Sequence, residues 1–327
     1  MMENRDISVG IDIGGTNTAF GIVDENGLVL LKDSMKTATH GNAAQFLSDL
    51  AYRIHRLLEQ MEQDGLVYRL VGIGMGAPNA NHYTGSIENA PNLSFSGIVP
   101  IKDMMQQFFP ADLPIVVSKD ANAAAYGELM YGGARGMKHF AMYTLGTGVG
   151  SGLVVDGKVV YGHDGFAGEC GHTTIVPEGR KCGCGGCGHL ETYCSASGMK
   201  RTAFELLSKG HASQSQLANY SLKALDSKII AEAALMGDAL AIEVFNKTGY
   251  WLGIGLANTV CHISPEAIFL FGGPTAAGDL LINPTRESLE RHLLPNYRGK
   301  IQLLTSSLHP GDAAIIGAAA MGRSMVC

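Results

Sequence analysis

The sequence has few charged residues, no long apolar run and no surplus of positive charge. No apolar stretch reaches the roughly 18 residues that a membrane helix needs, so we expect no membrane partner. Residues 1–8 contain no basic stretch followed by an apolar core, so we expect no signal peptide and a cytoplasmic protein. The formal net charge of −6 argues against nucleic acid as a main partner, and an anionic nucleotide would need local backbone donors.

Low-complexity segments are also lacking, and the composition is that of a folded protein. Hydrophobic residues make up 46% of the 327 residues and charged residues 17%, which argues against a disordered chain. At roughly 150 residues per domain, the length indicates about two domains. The cysteines are not spread along the chain as in a secreted disulfide framework, because five of the seven lie between Cys170 and Cys194. This clustering indicates metal binding in a reducing compartment.

A pattern of strands and glycine turns occurs twice along the chain. Residues 7–13 alternate in the manner of a strand, and a glycine pair ends the run. A second apolar run and an Asn-Gly turn at residues 26–27 follow. Residues 140–145, the glycine turn at 146–148 and an Asp-Gly turn at 156–157 repeat this plan. Helices alternate with the strands, so the sequence predicts an α/β protein with two similar domains facing each other across a cleft.

Two glycine-rich loops occupy matching places in this repeat and predict nucleotide binding. Glycines at a strand end let backbone amides approach a phosphate, although an ordinary hairpin turn is the alternative for the first loop. Asp12, near the end of the first strand, would hold a hydrated Mg²⁺. Neither loop is a Walker A motif, because no Gly-Lys-Ser/Thr sequence follows. The candidate nucleotide-binding residues are Asp12, Gly14, Gly15, Thr16, Asn17, Gly146, Thr147 and Gly148.

An aspartate follows a short predicted strand and begins an alanine-rich helix. Asp120 stands directly after Lys119 and before the alanines of residues 121–125. One interpretation is an N-cap, which is the ordinary role of an aspartate at this place. The other is a general base that accepts a hydroxyl proton during phosphoryl transfer.

Cysteines and histidines lie close together in a glycine-rich stretch near the middle of the chain. Thiolates at close spacing, together with imidazole, suit tetrahedral zinc. Three cysteines in a glycine-rich loop are not a core pattern, and no open coordination position is required, so the sequence predicts a structural zinc site. The candidate ligands are His172, Cys182, Cys184, Cys187 and His189.

Several motifs in a fixed order resemble the ROK family (repressors, open reading frames, kinases) of bacterial sugar kinases, from end to end. They are DIGGTNT at residues 12–18, GAP at 76–78, APNL at 90–93, DANAA at 120–124, LGTGVGSG at 145–152, ExGH at 169–172, CGCG at 182–185 and FGG at 271–273. The resemblance implies an actin-like ATPase (ribonuclease H-like) fold, ATP, Mg²⁺, a hexose substrate and a homodimer.

The same resemblance implies roles for individual residues. It makes Asp120 the catalytic base, and it makes His172 both a neighbour of the sugar and a zinc ligand. The implied substrate-binding residues are Gly76, Asn92, Lys119, Glu169, His172 and Glu191, and Gly272 and Gly273 join the implied nucleotide-binding residues.

Two positions depart from the family pattern. The family usually has a sugar-contacting asparagine directly before the catalytic aspartate, where this chain has Lys119. A lysine facing the sugar would donate hydrogen bonds but accept none, and it could lower the pKa of Asp120. We therefore expect weakened use of glucose or a preference for an altered sugar. In the zinc loop, His189 occupies the family's third cysteine position and Cys187 lies two residues earlier, so the fourth ligand remains open.

These features predict ATP-dependent phosphorylation of a hexose at its primary hydroxyl. Glucose is the first expectation, and N-acetylhexosamine, mannose, fructose and allose are alternatives. A sugar-responsive repressor would need a winged helix-turn-helix before residue 12, for which we expect no room. A non-catalytic actin-like ATPase would need no ExGH motif. We expect residues 1–118 with about 310–327 to form one domain, and residues 119–309, with the zinc loop, to form the other.

Overall fold

The computed structural model describes residues 5–211 and 215–325. The strands of this part of the chain are β1 (Arg5–Ile13), β2 (Asn17–Asp24), β3 (Val29–Lys36), β4 (Tyr68–Gly76), β5 (Ala80–Asn81), β6 (Ser86–Glu88), β7 (Ile98–Val99), β8 (Ile115–Ser118), β9 (Phe140–Leu145), β10 (Val149–Val155), β11 (Lys158–Val159), β12 (Ala267–Phe271) and β13 (Gln302–Thr305). Its α-helices are α1 (Ala43–Gln63), α2 (Ile101–Gln106), α3 (Asp120–Tyr131), α4 (Glu191–Cys194), α5 (Ala196–Leu206), α6 (Ser227–Leu235), α7 (Ala239–Ile263), α8 (Asp279–His292) and α9 (Ala313–Arg323). None of these helices has both the length and the apolar character needed to cross a membrane.

The described residues divide into two compact units. The first unit comprises residues 5–137, 159–167 and 307–325, and the second unit comprises the remaining described residues. Residues 119–137 therefore belong by their contacts to the first unit. The domain limits expected from the sequence, with a boundary after residue 118, remain a prediction.

The first unit is built on a five-stranded sheet in the order β3-β2-β1-β4-β8. Strands β1, β2 and β3 form an antiparallel meander, and β4 and β8 continue the sheet in parallel with β1. Helix α1 begins at the N-cap Asn42, whose side chain accepts a hydrogen bond from the amide of Gln45. The apolar stripe of α1, which includes Phe46, Leu50 and Ile54, is fully buried in the core of this unit.

The second unit contains a sheet with the same plan, in the order β11-β10-β9-β12-β13. Strands β9 and β10 form a hairpin, and β12 and β13 add in parallel on the other side of β9. The two units therefore share one strand order, and the internal repeat predicted from the sequence is confirmed. Helices α7 and α8 pack against each other in this unit, and the buried side chains of α7 form much of its core.

Candidate active site

Three parallel strands of the first unit end side by side. Asp12 of β1 is paired with Gly76 of β4, and Gly76 is paired with Ser118 of β8. The carboxyl ends of neighbouring parallel strands meet at one edge of a sheet, which is where ligands bind in open α/β sheets. Lys119 and Asp120 follow β8 directly, so four predicted site residues lie at this edge.

The first glycine loop joins β1 to β2 in a tight turn beside Asn92. The amide of Gly14 donates a hydrogen bond to the carbonyl of Asn17 over 3.0 Å. A Cβ atom on Gly15 would lie 2.5 Å from the carbonyl oxygen of Asn92, so only glycine fits here. Thr16 and Asn17 are exposed and available to a ligand. The structure thus brings a predicted sugar-binding residue against a predicted phosphate loop.

Two carboxylates of this edge influence each other. Asp12 is half-buried, and burial, followed by the negative charge of Asp120, raises the pKa of Asp12 from 3.8 to about 6. Asp120 is exposed and is the first residue of α3. The N-cap position is Lys119, and the Asp120 carboxylate accepts a hydrogen bond from the amide of Ala121 over 2.7 Å. The N-cap interpretation of Asp120 is therefore wrong.

Lys119 has a buried side chain that reaches a neighbouring segment of the first unit. Only 6% of the residue is exposed. Its Nζ atom donates a hydrogen bond to the carbonyl of Ala167 over 2.7 Å and lies 3.5 Å from the carbonyl of Phe166. These carbonyls stand two and three residues before Glu169, so the amine of Lys119 is tied to the chain that leads into the ExGH motif.

In the second unit, the remaining predicted nucleotide-binding residues come together at the carboxyl ends of β9 and β12. The amide of Gly146 donates a hydrogen bond to the carbonyl of Gly148 over 2.9 Å, which closes the turn around the exposed Thr147. Gly272 has a φ of 115° and lies against the carbonyl of Leu145, where no Cβ would fit. The Gly272–Gly273 turn therefore lies beside the start of the second glycine loop.

The three predicted sugar-binding residues of the second unit form one chain of contacts. The Glu191 carboxylate accepts a hydrogen bond from the amide of Val149 over 3.0 Å. The Sγ atom of Cys182 lies 3.6 Å from the other Glu191 oxygen and 3.8 Å from Nδ1 of His172. On the opposite side of the imidazole, Nε2 of His172 lies 3.9 Å from the Glu169 carboxylate. Two carboxylates and an imidazole, which are suitable partners for sugar hydroxyls, are thus linked in a row through Cys182 and His172.

Four of the five candidate zinc ligands lie close enough to share one ion. One ligand atom from each of His172, Cys182, Cys184 and His189 lies within 4.8 Å of all the others. Zinc bonds of roughly 2.0–2.3 Å require ligand atoms about this close together, and two thiols with two imidazoles suit a tetrahedral site. Cys187 is exposed and lies outside this group, in a backbone bridge with Lys181. The geometry therefore favours His189 as the fourth ligand.

The Cys182 thiol needs a cation to ionise. Burial is the main cause that raises the pKa of this thiol to about 11; a hydrogen bond from the backbone of Cys184 lowers the pKa, and the Cys184 side chain and the charge of Glu191 raise it. Since the thiolate is the form that binds metal, an ion at this site would have to displace the proton of Cys182.

A polar cavity of about 240 Å³ in the second unit includes residues that the sequence analysis did not single out. Its walls include Thr147, Lys181, Glu191, Ser195, Ser197 and Arg201. Ser195 is the N-cap of α5, and its side chain accepts a hydrogen bond from the amide of Gly198. The sequence signal for this wall was the Ser-x-Ser-Gly run that follows Glu191 at residues 195–198, which is typical of a helix start.

Comparisons with known proteins agree with these features. The ROK family matches residues 8–324. A glucokinase of Halalkalibacterium halodurans is 35% identical over 311 residues, which make up 94% of this chain and 92% of that protein. A crystal structure of a ROK family glucokinase from Streptomyces griseus, in complex with glucose and AMPPNP, matches with a TM-score of 0.80 and 32% identity, over 97% of this chain and 99% of that chain.

Relatives with another function also match. A xylose repressor of Bacillus spizizenii is 28% identical over 313 residues, which make up 94% of this chain and 75% of the repressor. Identity to the glucokinase is higher, and this chain spans a larger share of it. The match to known sugar kinases confirms the predicted actin-like fold, and the family match over residues 8–324 shows that the chain belongs to the ROK family.

Proposed function

We propose that this ATP-dependent sugar kinase phosphorylates a hexose at its primary hydroxyl, with glucose as the preferred acceptor. The observation that carries the proposal is the row of contacts from Glu191 through Cys182 and His172 to Glu169, because a nucleotidase without a sugar substrate would not need these polar side chains. The 35% identity to a glucokinase supports glucose over the other hexoses.

Asp120 acts as the general base in this proposal. Its carboxylate is exposed at the start of α3, where it would accept the proton of the sugar hydroxyl. The hydroxyl oxygen then forms a bond to the terminal phosphorus of ATP, and the bond from that phosphorus to the bridging oxygen of ADP breaks. The proton remains on Asp120 until solvent removes it.

The glycine loops and Asp12 hold the phosphates. Within each glycine loop, backbone amides other than those of Gly14 and Gly146, which close the turns, would donate hydrogen bonds to phosphate oxygens and so compensate for the lack of a positive field on this anionic chain. Mg²⁺, when bound, neutralises charge on the transferred phosphoryl group, and the ionised Asp12 would hold it through water. The polar cavity beside Thr147 offers further donors, from Lys181 and Arg201, near the same loop.

A structural zinc ion would keep the sugar-binding side chains in place. His172, Cys182, Cys184 and His189 fit such an ion, and Nδ1 of His172 faces the thiol while Nε2 faces Glu169. Fixing one imidazole nitrogen on a metal orients the other toward its partner. The homodimer implied by the family resemblance and the cytoplasmic location expected from the sequence stay predictions.

One assay distinguishes phosphorylation of glucose from phosphorylation of another hexose and from sugar sensing without catalysis. ADP release is followed with ATP and each of glucose, N-acetylglucosamine, mannose, fructose and allose. We expect turnover that depends on sugar and is fastest with glucose. Release that is equal with and without sugar would refute the kinase proposal, and binding of sugar without turnover would support the sensor.

Asp120→Asn should retain the fold and nucleotide binding but lower kcat by at least about 10²-fold, because the amide cannot accept the hydroxyl proton. Asp103→Asn is the matched control, since Asp103 also lies in the first turn of a helix of the first unit and should be replaceable. Both variants are compared in the coupled ADP assay and by thermal unfolding. An Asp120→Asn enzyme with near-normal turnover would contradict the role of this residue.

Asp12→Asn should stabilise the ligand-free protein at pH 8 but not at pH 4. A carboxyl whose pKa is raised from 3.8 to about 6 contributes stability below pH 4 that is lost as the pH rises through 6. The loss is at most about 3 kcal/mol at pH 8, and the amide avoids it. Chemical unfolding of both proteins at the two pH values measures the difference. A gain in the free energy of unfolding that is equal at both pH values would show that the charge of Asp12 does not destabilise the folded protein.

Protein purified without chelators should contain about one equivalent of zinc, as a closed four-ligand site requires. His189→Ala should lose the metal, whereas Cys187→Ser should retain it, because the Cys187 thiol lies outside the group of four ligand atoms. Elemental analysis of the three proteins provides the measurement. The opposite result for the two variants would assign the fourth position to Cys187.

Lys119→Asn should lower the melting temperature and raise kcat/KM for glucose by roughly ten-fold, which corresponds to about 1.4 kcal/mol. Stability falls because the carbonyl of Ala167 loses its ammonium partner. Activity rises because asparagine restores the acceptor that a sugar hydroxyl uses in the family pattern. Steady-state kinetics with several sugars tests the second effect. An unchanged sugar profile would show that Lys119 does not contribute to sugar choice.

A further inference from the structure

One buried hydroxyl binds the backbone on both sides of Glu169. The Oγ atom of Ser151 donates a hydrogen bond to the carbonyl of Gly168 over 2.6 Å. The same oxygen accepts a hydrogen bond from the amide of Cys170 over 3.0 Å. Ser151 lies in the middle of β10 and is 2% exposed, so water does not compete for these bonds. The peptide groups before and after Glu169 are therefore held by a single side chain.

The segment that carries Glu169 begins at a glycine and leads into a single short turn, in which the amide of His172 donates a hydrogen bond to the carbonyl of Glu169 over 3.0 Å. Gly168 has a φ of 83°, a conformation that glycine adopts freely and that other residues avoid. Glu169 itself lies outside any regular element, one residue before the short 3-10 turn Cys170–His172. Because glycine permits many backbone conformations, the bonds from Ser151 on both sides of Glu169 help to select one of them.

Strand β10 also contacts Glu191 and Gly171, the residue before His172. Gly171 lies against the carbonyl of Val149, where a Cβ atom would not fit. The amide of Val149 donates to the Glu191 carboxylate. Ser151 and Val149 are two residues apart in the same strand, so their side chains share one face of the sheet. The strand thus connects the second glycine loop to the residues proposed to bind sugar.

We propose that Ser151 is a positioning residue that sets the place and direction of the Glu169 carboxylate for sugar binding. The inference rests on the proposed function, since it requires Glu169 to bind the sugar. Ser151 acts through the backbone, and its hydroxyl has both its donor and its acceptor capacity in use. Its removal should therefore affect the binding of sugar and leave the binding of ATP unchanged.

Ser151→Ala removes both hydrogen bonds while adding no bulk. We expect the KM for glucose to rise ten-fold or more, with kcat changed less than about three-fold and the KM for ATP less than about two-fold. A loss of fold alone would lower the active fraction, and thus kcat, without changing the KM for glucose. Ser151→Cys, whose thiol is a weak donor and acceptor, should give a KM between those of the wild type and Ser151→Ala.

Ser288→Ala is the matched control. Ser288 is also a serine of the second unit, is 3% exposed and donates a hydrogen bond over 2.7 Å, in its case to the carbonyl of Tyr250 in helix α7. We expect this variant to lower the melting temperature about as much as Ser151→Ala and to leave the KM for glucose unchanged. An equal rise of the KM in both variants would reduce the effect of Ser151 to general destabilisation and overturn the inference.

Hydrogen exchange gives a readout that does not require turnover. The amides of residues 169–172 should exchange faster in full-length Ser151→Ala than in the wild type or in Ser288→Ala. Faster exchange with an unchanged KM for glucose would refute the positioning role, as would unchanged exchange. A wild type that phosphorylates no sugar would refute the proposed function instead, so the two failures are distinguishable.

Discussion

Parallel pairing of the central strands is the constraint on which the site of each unit depends. In the first unit, the register of β1, β4 and β8 brings Asp12, Gly76 and the residues after Ser118 to one edge. In the second unit, parallel pairing of β9 and β12 brings Leu145 and Phe271 to equivalent ends, so the two glycine turns that follow them meet. A slip of one residue in either pairing would turn these side chains to the other face of the sheet. The register of each sheet therefore decides which side chains can act together at its edge.

Close approach of like charges follows from this register. Asp12 lies in β1, and Asp120 follows β8 at the same edge of the sheet. The raised pKa of Asp12 means that ionising its carboxyl group at this place is unfavourable. Under the proposed function, the stability lost through this charge would be offset when a cation and a reacting hydroxyl bind beside the two carboxylates. The position of these carboxylates is thus better explained by ligand binding than by the stability of the free protein.

The sequence predicted the repeat and both glycine loops because these depend on local signals. Alternating apolar residues and glycine turns define β1, β2, β9 and β10 without information from distant residues. Strand β3 extends to Lys36 through residues that are mostly polar and exposed at the edge of the sheet, so no run of apolar residues marks where it ends. No helix was predicted for α7. Its buried residues lie on most of its faces, so its sequence has no clear apolar stripe. The path of the zinc loop depends on positive φ angles at Gly185 and Gly188, which cysteine spacing does not determine.

The sugar-binding residues proposed for the second unit stand on short elements. Glu169 and His172 flank or occupy a three-residue turn, and Glu191 begins a four-residue helix. Elements this short form too few internal hydrogen bonds to be stable alone. Their place must come from contacts with more stable structure, and β10 provides these through Val149 and Ser151. A metal bound by His172 and Cys182 would supply the remaining constraint, joining the turn to the loop that leads into α4. This explains why a kinase whose chemistry needs no zinc would have a zinc site next to its sugar-binding residues.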